Sequence, residues 1–553
     1  MRPEDKEFLK DIIANPEDDA IRLIYADWLD EHDDPRAELI RVQCELASLN
    51  RDDDRWAKLE QRSHELAEEQ RSRLLEGIGN WCTETEFHRG FLDAATLHLD
   101  PSRMNLMSEK LAWTPLRRLC VWWCDEESVM PLTEWEFLSR VRELTLASGA
   151  QDHHEMRKLF SSPHLRNLVS LEIVDECVRG PEGARILADG ASLGNLERLS
   201  LSHCRIGPTG LEALLGSSII TQLHSFDLDG DRLGSIGAQV LTDFMQWKNL
   251  RHLSLASTEI TAEGYRALST ARWLSQITRL DLRANGLKPS AIEGFLASPH
   301  LGPLKELRLT GNRIGSEGAR ALAKSPLVQH LEVLTLEGNQ IGTEGVQALA
   351  ESPHLNNLRV LLLDDNRLDD EAAKVLGESE NLKNLHLLDL SRSNLSVFGV
   401  KALIKPGNLT QLRELQLDNC RLDDRALQVI ARSKNLQHLQ SLELSRAECR
   451  DGKGIEDLIT QGNLPQLRKL NLSQCKLSID SIARLCESDF AQQLTHLDLL
   501  YNDLTARLLE PILKLAASKA LRVIRLSRWQ NHDIDGNALE EAFGERLDSG
   551  IPF

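Results

Sequence analysis

Residues 304–322 read LKELRLTGNRIGSEGARAL, and this stretch carries a frame, Leu-x-x-Leu-x-Leu-x-x-Asn-x-Leu/Ile, that recurs along the chain. From Leu196 to Leu439 the first position of the frame returns at nine successive intervals of 27 residues, and the other intervals are 25 to 28 residues long. Self-similarity at a fixed period predicts stacked copies of one structural unit. The first positions are Leu116, Val141, Leu168, Leu196, Leu223, Leu250, Ile277, Leu304, Leu331, Leu358, Leu385, Leu412, Leu439, Leu467, Leu494 and Leu521.

Each unit is expected to contain a strand, a turn and a helix. The Leu-x-Leu core alternates with period two, which predicts a short strand with one buried face. An Ala/Leu-rich segment follows and predicts a helix, and Ser325-Pro326 is one of several Ser-Pro pairs that close a unit, because proline cannot continue a helix. We expect the helices to be capped by polar residues two positions after the frame. These residues are Ser235, Ser316, Thr343, Asp370 and Asp424.

Asparagine follows the strand in the clearest units, at Asn312, Asn339, Asn366 and Asn502. An amide side chain at a turn can both accept from and donate to backbone groups. We therefore predict that these side chains stack from unit to unit as a hydrogen-bonded ladder.

The 27-residue period and the segment Asn312–Leu322 resemble ribonuclease-inhibitor-type leucine-rich repeats. The resemblance covers roughly residues 116 to 527, or about 16 units. It implies an α/β solenoid shaped as a horseshoe, with a parallel sheet on the concave face and helices outside. It is specific for fold and weak for function, because such repeats bind many unrelated partners.

Residues 1–78 contain no repeats and are predicted to form a small all-α domain of four helices. In the second of these, Ile21, Leu23, Ile24, Trp28 and Leu29 are expected inside the core. Residues 23–29 (LIYADWL) and 34–41 (DPRAELIR) resemble a short bacterial repeat-companion domain, which implies a bacterial source but no known activity. Residues 79–115 are predicted to cap the first repeat and residues 528–553 to cap the last, since a solenoid must cover both ends of its core.

Composition excludes several classes of protein. The net charge is −20, and the first 110 residues hold 27 acidic and 15 basic residues, so neither part offers the basic field that nucleic acid requires. No apolar run approaches the length of a membrane span, and the first residues do not resemble a signal peptide. The ten cysteines form no C-x-x-C pair, which indicates reduced thiols. We expect a cytoplasmic monomer that binds neither nucleic acid nor membrane.

Three constellations could indicate chemistry, and in each case a structural role is favoured. Asp52, Asp53 and Asp54 lack the glycine-centred spacing of a calcium loop. Cys120 and Cys124 with His153 and His154 do not have an established zinc spacing. Cys124-Asp125 and Cys486–Asp489 resemble the Cys-x-Asp nucleophile of bacterial ubiquitin ligases, but a thiol packed inside a repeat is not activated. We predict no catalytic residue, no metal and no cofactor.

The strand positions that flank the third leucine of the frame point away from the core and are mostly acidic. We predict that this concave face binds a protein partner with basic residues, steered by complementary charge. The alternative is that these side chains only solvate an exposed sheet. The candidate binding residues of this face are Asp227, Asp229, Asp281, Arg283, Arg308, Glu337, Asp364, Asp389, Asp418, Glu443 and Asp498.

Aromatic residues form a second candidate patch. Trp122 and Trp123 lie on the first repeat strand, and Tyr501 lies near the far end of the array. Large aromatic side chains are favoured interface anchors, although packing over the end of the core is the alternative for this tryptophan-rich region.

The function predicted from these features is a non-enzymatic scaffold for protein–protein interaction. One alternative is a regulator of a small GTPase, because repeats of the ribonuclease-inhibitor type also build a Ran GTPase-activating protein. A ubiquitin-ligase-like enzyme is the less favoured alternative, and it would require an unusually reactive thiol.

Overall fold

The computed structural model describes residues 3–50, 53, 55–79, 81–100, 104–123, 130–148, 153–175, 178–405, 407–527 and 536–548. The chain divides into two compact units, Met1–Ser254 and Leu255–Phe553. In each unit, parallel strands alternate with helices, which confirms the predicted α/β repeat fold.

The first unit begins with four helices, as the sequence predicts: α1 (Pro3–Ala14), α2 (Asp19–Asp30), α3 (Arg36–Ser48) and α4 (Trp56–Leu74). Ile12, Tyr25 and Leu29 are fully buried in their shared core. The prediction that Leu23 and Ile24 lie in this core is wrong, because they are 40% and 59% exposed. The inward face of α2 is instead formed by Arg22, Tyr25, Ala26 and Leu29, which follow the helical period.

The rest of the first unit is a sheet whose strands alternate with short helices. Its strands are β1 (Cys82–His88), β2 (Phe91–His98), β3 (Arg118–Trp123), β4 (Glu143–Ser148), β5 (Ser170–Asp175), β6 (Arg198–Ser200), β7 (Ser225–Asp227) and β8 (His252–Ser254). Its helices are α5 (Met104–Leu111), α6 (Met130–Thr133), α7 (His153–Ser161), α8 (Gly180–Ala188), α9 (Gly207–Leu215) and α10 (Gly234–Asp243). Strands β2 to β8 pair in parallel order.

An antiparallel hairpin of β1 and β2 precedes the parallel strands. This hairpin lies within the predicted N-terminal cap, and β1 gives no signal in the sequence because its residues are mostly exposed and carry no apolar alternation. Arg89 and Gly90 form the turn with positive φ angles, and Gly90 approaches α3 so closely that a Cβ atom would lie 2.2 Å from Ile40 Cγ1. The Gly90 N–H donates to Gln43 Oε1 over 2.6 Å, so the hairpin is joined to the helical region.

The second unit repeats strand and helix with little variation. Its strands are β9 (Arg279–Asp281), β10 (Glu306–Arg308), β11 (Val333–Thr335), β12 (Val360–Leu362), β13 (Leu387–Asp389), β14 (Glu414–Gln416), β15 (Ser441–Glu443), β16 (Lys469–Asn471), β17 (His496–Asp498), β18 (Val523–Arg525) and β19 (Leu547–Asp548). Its helices are α11 (Ala262–Leu268), α12 (Pro289–Leu296), α13 (Gly315–Lys324), α14 (Gly342–Glu351), α15 (Asp370–Glu378), α16 (Val397–Leu403), α17 (Asp424–Ala431), α18 (Lys453–Gln461), α19 (Ile479–Cys486), α20 (Asp489–Gln492), α21 (Leu509–Ala516) and α22 (Gly536–Phe543).

The strands of the second unit pair in register, so equivalent leucines stack. Leu307 lies opposite Leu334, and Leu334 lies opposite Leu361. These three side chains are fully buried. Constant spacing therefore produces one continuous row of core leucines, since no insertion shifts the register.

The predicted asparagine ladder is confirmed by the hydrogen bonds of Asn339. Its Nδ2 donates to the carbonyl of Leu309 in the preceding repeat over 2.8 Å and to that of Leu336 in its own repeat over 3.0 Å. Its Oδ1 accepts from the Ile314 N–H over 3.4 Å. Asn312 and Asn366 make the same pattern of bonds.

The predicted helix caps are wrong by one or two residues. Helix α13 begins at Gly315, before the expected cap Ser316, and no side chain caps it. The Gly315 N–H donates instead to the Asn339 carbonyl of the next repeat over 3.0 Å, so a neighbouring repeat supplies the acceptor. The equivalent shift occurs at Ser235 and Thr343. Where a side chain does cap, it belongs to the residue before the predicted one: Asp369 before Asp370, and Asp423 before Asp424.

At the end of the second unit, β19 continues the parallel pairing beyond β18. Residues 528–535 and 549–553 of the predicted C-terminal cap lie outside the described residues. The boundaries proposed for the helical domain and for the two caps stay predictions.

Candidate functional site

The outward face of the sheet is the face that points away from the helices, and it is formed by the frame positions on either side of the third leucine. In the first unit it carries Asp227 and Asp229, both half-buried, and Trp122, which is 43% exposed. The side chain of Trp123 lies outside the described residues, although its backbone ends β3. The remaining predicted residues all belong to the second unit: Asp281, Arg283, Arg308, Glu337, Asp364, Asp389, Asp418, Glu443, Asp498 and Tyr501.

Several aspartates of the outward face have a local structural role. The carboxylates of Asp227, Asp281, Asp389 and Asp498 each accept from the backbone N–H two residues later, over 2.8 to 3.0 Å. This bond turns the chain at the end of the strand. Part of the acidity of the face is therefore explained by turn geometry, independently of any partner.

Ion pairs neutralise another part of the acidity in the second unit. Asp281 pairs with Arg283 over 2.7 Å and lies 3.8 Å from Arg308. Asp364 accepts hydrogen bonds from Nε and Nη2 of the Arg392 guanidinium. Asp498 lies 3.6 Å from Arg525. At these three positions, arginine side chains of the same chain already neutralise the carboxylates.

Four of the predicted outward-face acids in the second unit have no cation within ion-pair distance among the residues that the structure describes: Glu337, Asp389, Asp418 and Glu443. We call them the uncompensated acids. Burial raises the pKa of Asp389 to about 6, and the negative charges of Asp364 and Asp418 add to this effect. Burial also raises the pKa of Glu443, and Asp418 contributes to that shift through its charge. Asp418 therefore lies close enough to Asp389 and to Glu443 for their charges to repel.

The exposed aromatic residues differ from the buried ones of the tryptophan-rich region. Trp135 is 5% exposed and lies against Phe137, with ring centroids 5.1 Å apart. Trp113 packs against the core of the helical region. Trp122 and Tyr501 are 43% and 54% exposed, so each presents much of its ring to solvent.

The sequence analysis missed a row of cations at the edge of the sheet. The residue that follows the first leucine of the frame is basic at Lys305, Arg359 and Arg413, each exposed and 54 residues from the next. The regular spacing was available in the sequence as a signal. These cations precede the strands, so the alternation pattern of the strand positions does not include them.

No feature of the described residues indicates an activated nucleophile or a metal site. Burial raises the pKa of Cys486 to about 12, which disfavours the reactive thiolate. Cys124, Asp52 and Asp54 lie outside the described residues. In the described part of the chain, no three His, Cys, Asp or Glu side chains are placed to hold a metal ion. No described helix combines the length and the apolar character that crossing a membrane requires.

Two solved structures are similar to this chain at low sequence identity. Among solved structures, an internalin from Listeria monocytogenes is 17% identical, covers 67% of this chain and 94% of its own, and has a TM-score of 0.40. The yeast Rad7 and Elc1 complex contains a chain that is 18% identical, covers 64% of this chain and 80% of its own, and has a TM-score of 0.39. No curated protein matches this chain in sequence.

A family model described as Leucine Rich repeat matches residues 195–215, 248–269, 303–323 and 329–350. Each matched segment contains one strand and the helix that follows it in the chain. Leucine-rich repeats generally present an extended surface to other proteins. The chain therefore contains leucine-rich repeats, a scaffold typical of protein–protein interaction.

Proposed function

We propose that the outward face of the sheet binds a protein partner that presents basic residues. The observation that carries this proposal is the set of uncompensated acids, Glu337, Asp389, Asp418 and Glu443, in the second unit. Neighbouring strands lie about 4.8 Å apart, so carboxylates on adjacent strands repel one another.

A cationic partner would remove this repulsion and gain electrostatic energy at the same surface. Complementary charge mainly sets specificity and the rate of association, while aromatic anchors supply much of the affinity. Tyr501 in the second unit and Trp122 in the first are exposed aromatic side chains suited to that role. Within the second unit, the proposed surface therefore combines acidic side chains with the exposed aromatic ring of Tyr501.

The proposal includes the finer features expected from the sequence. The 27-residue period supports repeats of the ribonuclease-inhibitor type, whose sheet lines a concave face. The resemblance of residues 23–41 to a repeat-companion domain supports a bacterial source. The raised pKa values of the buried thiols of Cys420 and Cys486 support a scaffold without a catalytic thiol. The absence of C-x-x-C pairs in the sequence supports a reducing cytoplasm. We propose that the scaffold acts as a monomer.

The experiment is affinity capture from a host lysate, with quantification of bound proteins. The face variant combines Glu337→Gln, Asp418→Asn and Glu443→Gln, which keep side-chain size and remove charge. Its matched control combines Glu293→Gln, Glu317→Gln and Glu378→Gln. These exposed acids lie on helices α12, α13 and α15 and therefore not on the outward face of the sheet.

We expect the native chain and the control to capture the same protein, and the face variant to capture about tenfold less of it or even less. Circular dichroism must show that all three proteins are folded. Equal capture by the face variant and the control would contradict the proposal and would place the binding site elsewhere.

A further inference from the structure

The N-terminal edge of the sheet in the second unit carries a row of side chains at the second position of the frame. From Lys305 onward this position is occupied by Lys305, Glu332, Arg359, His386, Arg413, Gln440, Arg468, Thr495 and Arg522. Five of these residues are lysine or arginine and one is acidic. A basic row is unexpected in a chain whose net charge is −20.

The backbone holds this row rigidly. The N–H of Arg359 donates to the Glu332 carbonyl over 2.9 Å, and the N–H of Arg413 donates to the His386 carbonyl over 2.8 Å. Each residue of the row is thus fixed to the preceding repeat, while the side chains of Lys305, Arg359 and Arg413 are exposed. The positions of the cations are therefore set by the repeat and not by a mobile loop.

A groove runs along this edge and encloses about 530 Å³. Lys305, His330, Glu332, Arg359 and His386 line it, together with the neutral side chains of Asn357 and Asn384. Arg413 adjoins this lining, because its N–H donates to the carbonyl of the lining residue His386. Carboxamides and imidazoles are hydrogen-bond donors, so the groove offers donors as well as positive charge.

Part of the positive charge along this edge is not neutralised. Lys305 lies 3.2 Å from Glu332, an exposed ion pair that contributes little. Arg359 and Arg413 have no carboxylate within ion-pair distance in the described part of the chain. The pKa of His386 is lowered by burial and by the charges of Arg413 and Arg359, so the imidazole lies within the positive field of both guanidinium groups.

We propose that this edge groove binds an acidic, extended polypeptide segment of a protein partner. Lys305, Arg359 and Arg413 lie on every second repeat, next to β10, β12 and β14, so consecutive cations are roughly 10 Å apart. Three residues of an extended polypeptide also span roughly 10 Å. Acidic side chains at every third residue of the segment would therefore meet successive cations.

Two features favour a peptide over a nucleic acid. The groove lining contains no Phe, Tyr or Trp side chain on which a base could stack. The row also includes Glu332, and the uncompensated acids lie on the same sheet, so a continuous phosphate backbone would meet repulsion. The edge groove is a different surface from the acidic outward face, so each can be tested without the other.

The probe is a synthetic Gly/Ser peptide with glutamate at every third position, and its binding to the full chain is measured by fluorescence anisotropy at low salt. The first control peptide has the same composition with all glutamates adjacent, and the second has glutamine in place of glutamate. The groove variant combines Lys305→Gln, Arg359→Gln and Arg413→Gln. The control variant combines Lys324→Gln, Lys401→Gln and Lys434→Gln, which removes the same charge from exposed residues away from the groove.

The native chain and the control variant should bind the spaced peptide about tenfold more tightly than the groove variant does, because the ion pairs at three sites act together. The clustered and neutral peptides should bind more weakly than the spaced one. His386 provides a second readout: its pKa, followed by NMR of labelled histidine, should rise when the spaced peptide saturates the chain.

Two outcomes would overturn the proposal. One is equal affinity of the groove and control variants for the spaced peptide, with both variants folded. The other is tighter binding of single-stranded RNA than of the spaced peptide by the native chain, which would assign the groove to nucleic acid. Neither outcome affects the outward-face proposal, since its variant leaves the groove residues unchanged.

Discussion

Arg392 and Asp364 form a bidentate ion pair between adjacent repeats of the second unit. The Arg392 Nε donates to Asp364 Oδ1 over 2.8 Å, and its Nη2 donates to Asp364 Oδ2. This geometry neutralises one acid of the outward face and leaves its neighbour Asp389 without a cation of its own in the described part of the chain. The distribution of such pairs, and not the number of acids, decides where a basic partner would be attracted.

The stability of the second unit should depend on pH through Asp389. Its pKa is raised from the ordinary value of 3.8 to about 6, so the folded state holds this proton more tightly than the unfolded state. Binding of this proton therefore stabilises the folded state fully below about pH 4, and that stabilisation is lost as the pH rises through about 6.

Asp389→Asn should raise the free energy of unfolding at about pH 8 by about 1–3 kcal/mol, because asparagine keeps the acceptor for the Ser391 N–H and cannot ionise. Urea unfolding of native chain and variant at several pH values measures this difference. If the native chain and the variant differed in free energy of unfolding by the same amount at about pH 4 and about pH 8, ionisation of Asp389 would be excluded as the cause.

Asp231 should destabilise the first unit at high pH. It occupies the ladder position that asparagine fills in other repeats, and its Oδ1 accepts from the Ile206 N–H over 3.4 Å. Its Oδ2 is buried without a hydrogen-bond partner in the described residues, and burial raises its pKa to about 8. Because that pKa is raised, the stabilisation is complete below about pH 4 and is lost as the pH rises through about 8.

We expect Asp231→Asn to stabilise the chain by about 1–3 kcal/mol above about pH 8, since an Nδ2 donor replaces an unsatisfied oxygen. Asp243→Asn, at an exposed position at the end of α10, is the control and should change stability by less than about 0.5 kcal/mol. Thermal unfolding at several pH values compares the two variants. A destabilised Asp231→Asn variant would show that an Nδ2 donor in the place of Oδ2 finds no acceptor there.

Asn339→Ala should lower the free energy of unfolding by about 2–4 kcal/mol, because it removes one of the two asparagine hydrogen bonds at each of the buried carbonyls of Leu309 and Leu336 and removes the acceptor of the Ile314 N–H. The matched control is Asn357→Ala, whose exposed amide donates to the Gln329 carbonyl and should matter far less. Denaturant unfolding compares the two, and equal losses would mean that the ladder does not contribute beyond an ordinary surface bond.

Trp122 and Trp135 should respond oppositely in assays of stability and binding. Trp135→Ala removes a buried ring and should cost about 3–5 kcal/mol of stability. Trp122→Ala should cost about 1 kcal/mol or less and should weaken partner binding, because its ring is 43% exposed. Calorimetric unfolding together with partner titration measures both effects, and a Trp122→Ala variant with low stability and intact binding would indicate a packing role.

The repeat fold was predictable because its physical cause is periodic. Leu307, Leu334 and Leu361 stack since the spacing is constant, and Asn339 joins two repeats because its amide reaches backbone groups one period away. The cap at Ser316 was not predictable by the same logic, because the acceptor for Gly315 comes from a neighbouring repeat. Local sequence rules do not include that contact.

The charge balance of the candidate surface required coordinates. Spacing identifies which residues share a face, but it does not reveal that Arg392 pairs with Asp364 while Asp389 has no such cation. Likewise β1 was missed because an exposed strand with little apolar character has no pattern to detect. The edge cations Lys305, Arg359 and Arg413 were detectable from their spacing, and only their lack of carboxylate partners needed the structure.

Carboxyl footprinting of the chain with and without its captured partner, using a carbodiimide label and mass spectrometry, tests directly whether the outward face binds a protein. We expect Glu337, Asp418 and Glu443 to lose reactivity in the complex, while Glu293, Glu317 and Glu378 on the helices react as they do in the free chain. Protection of the helix acids together with unchanged labelling of the outward-face acids would contradict this expectation.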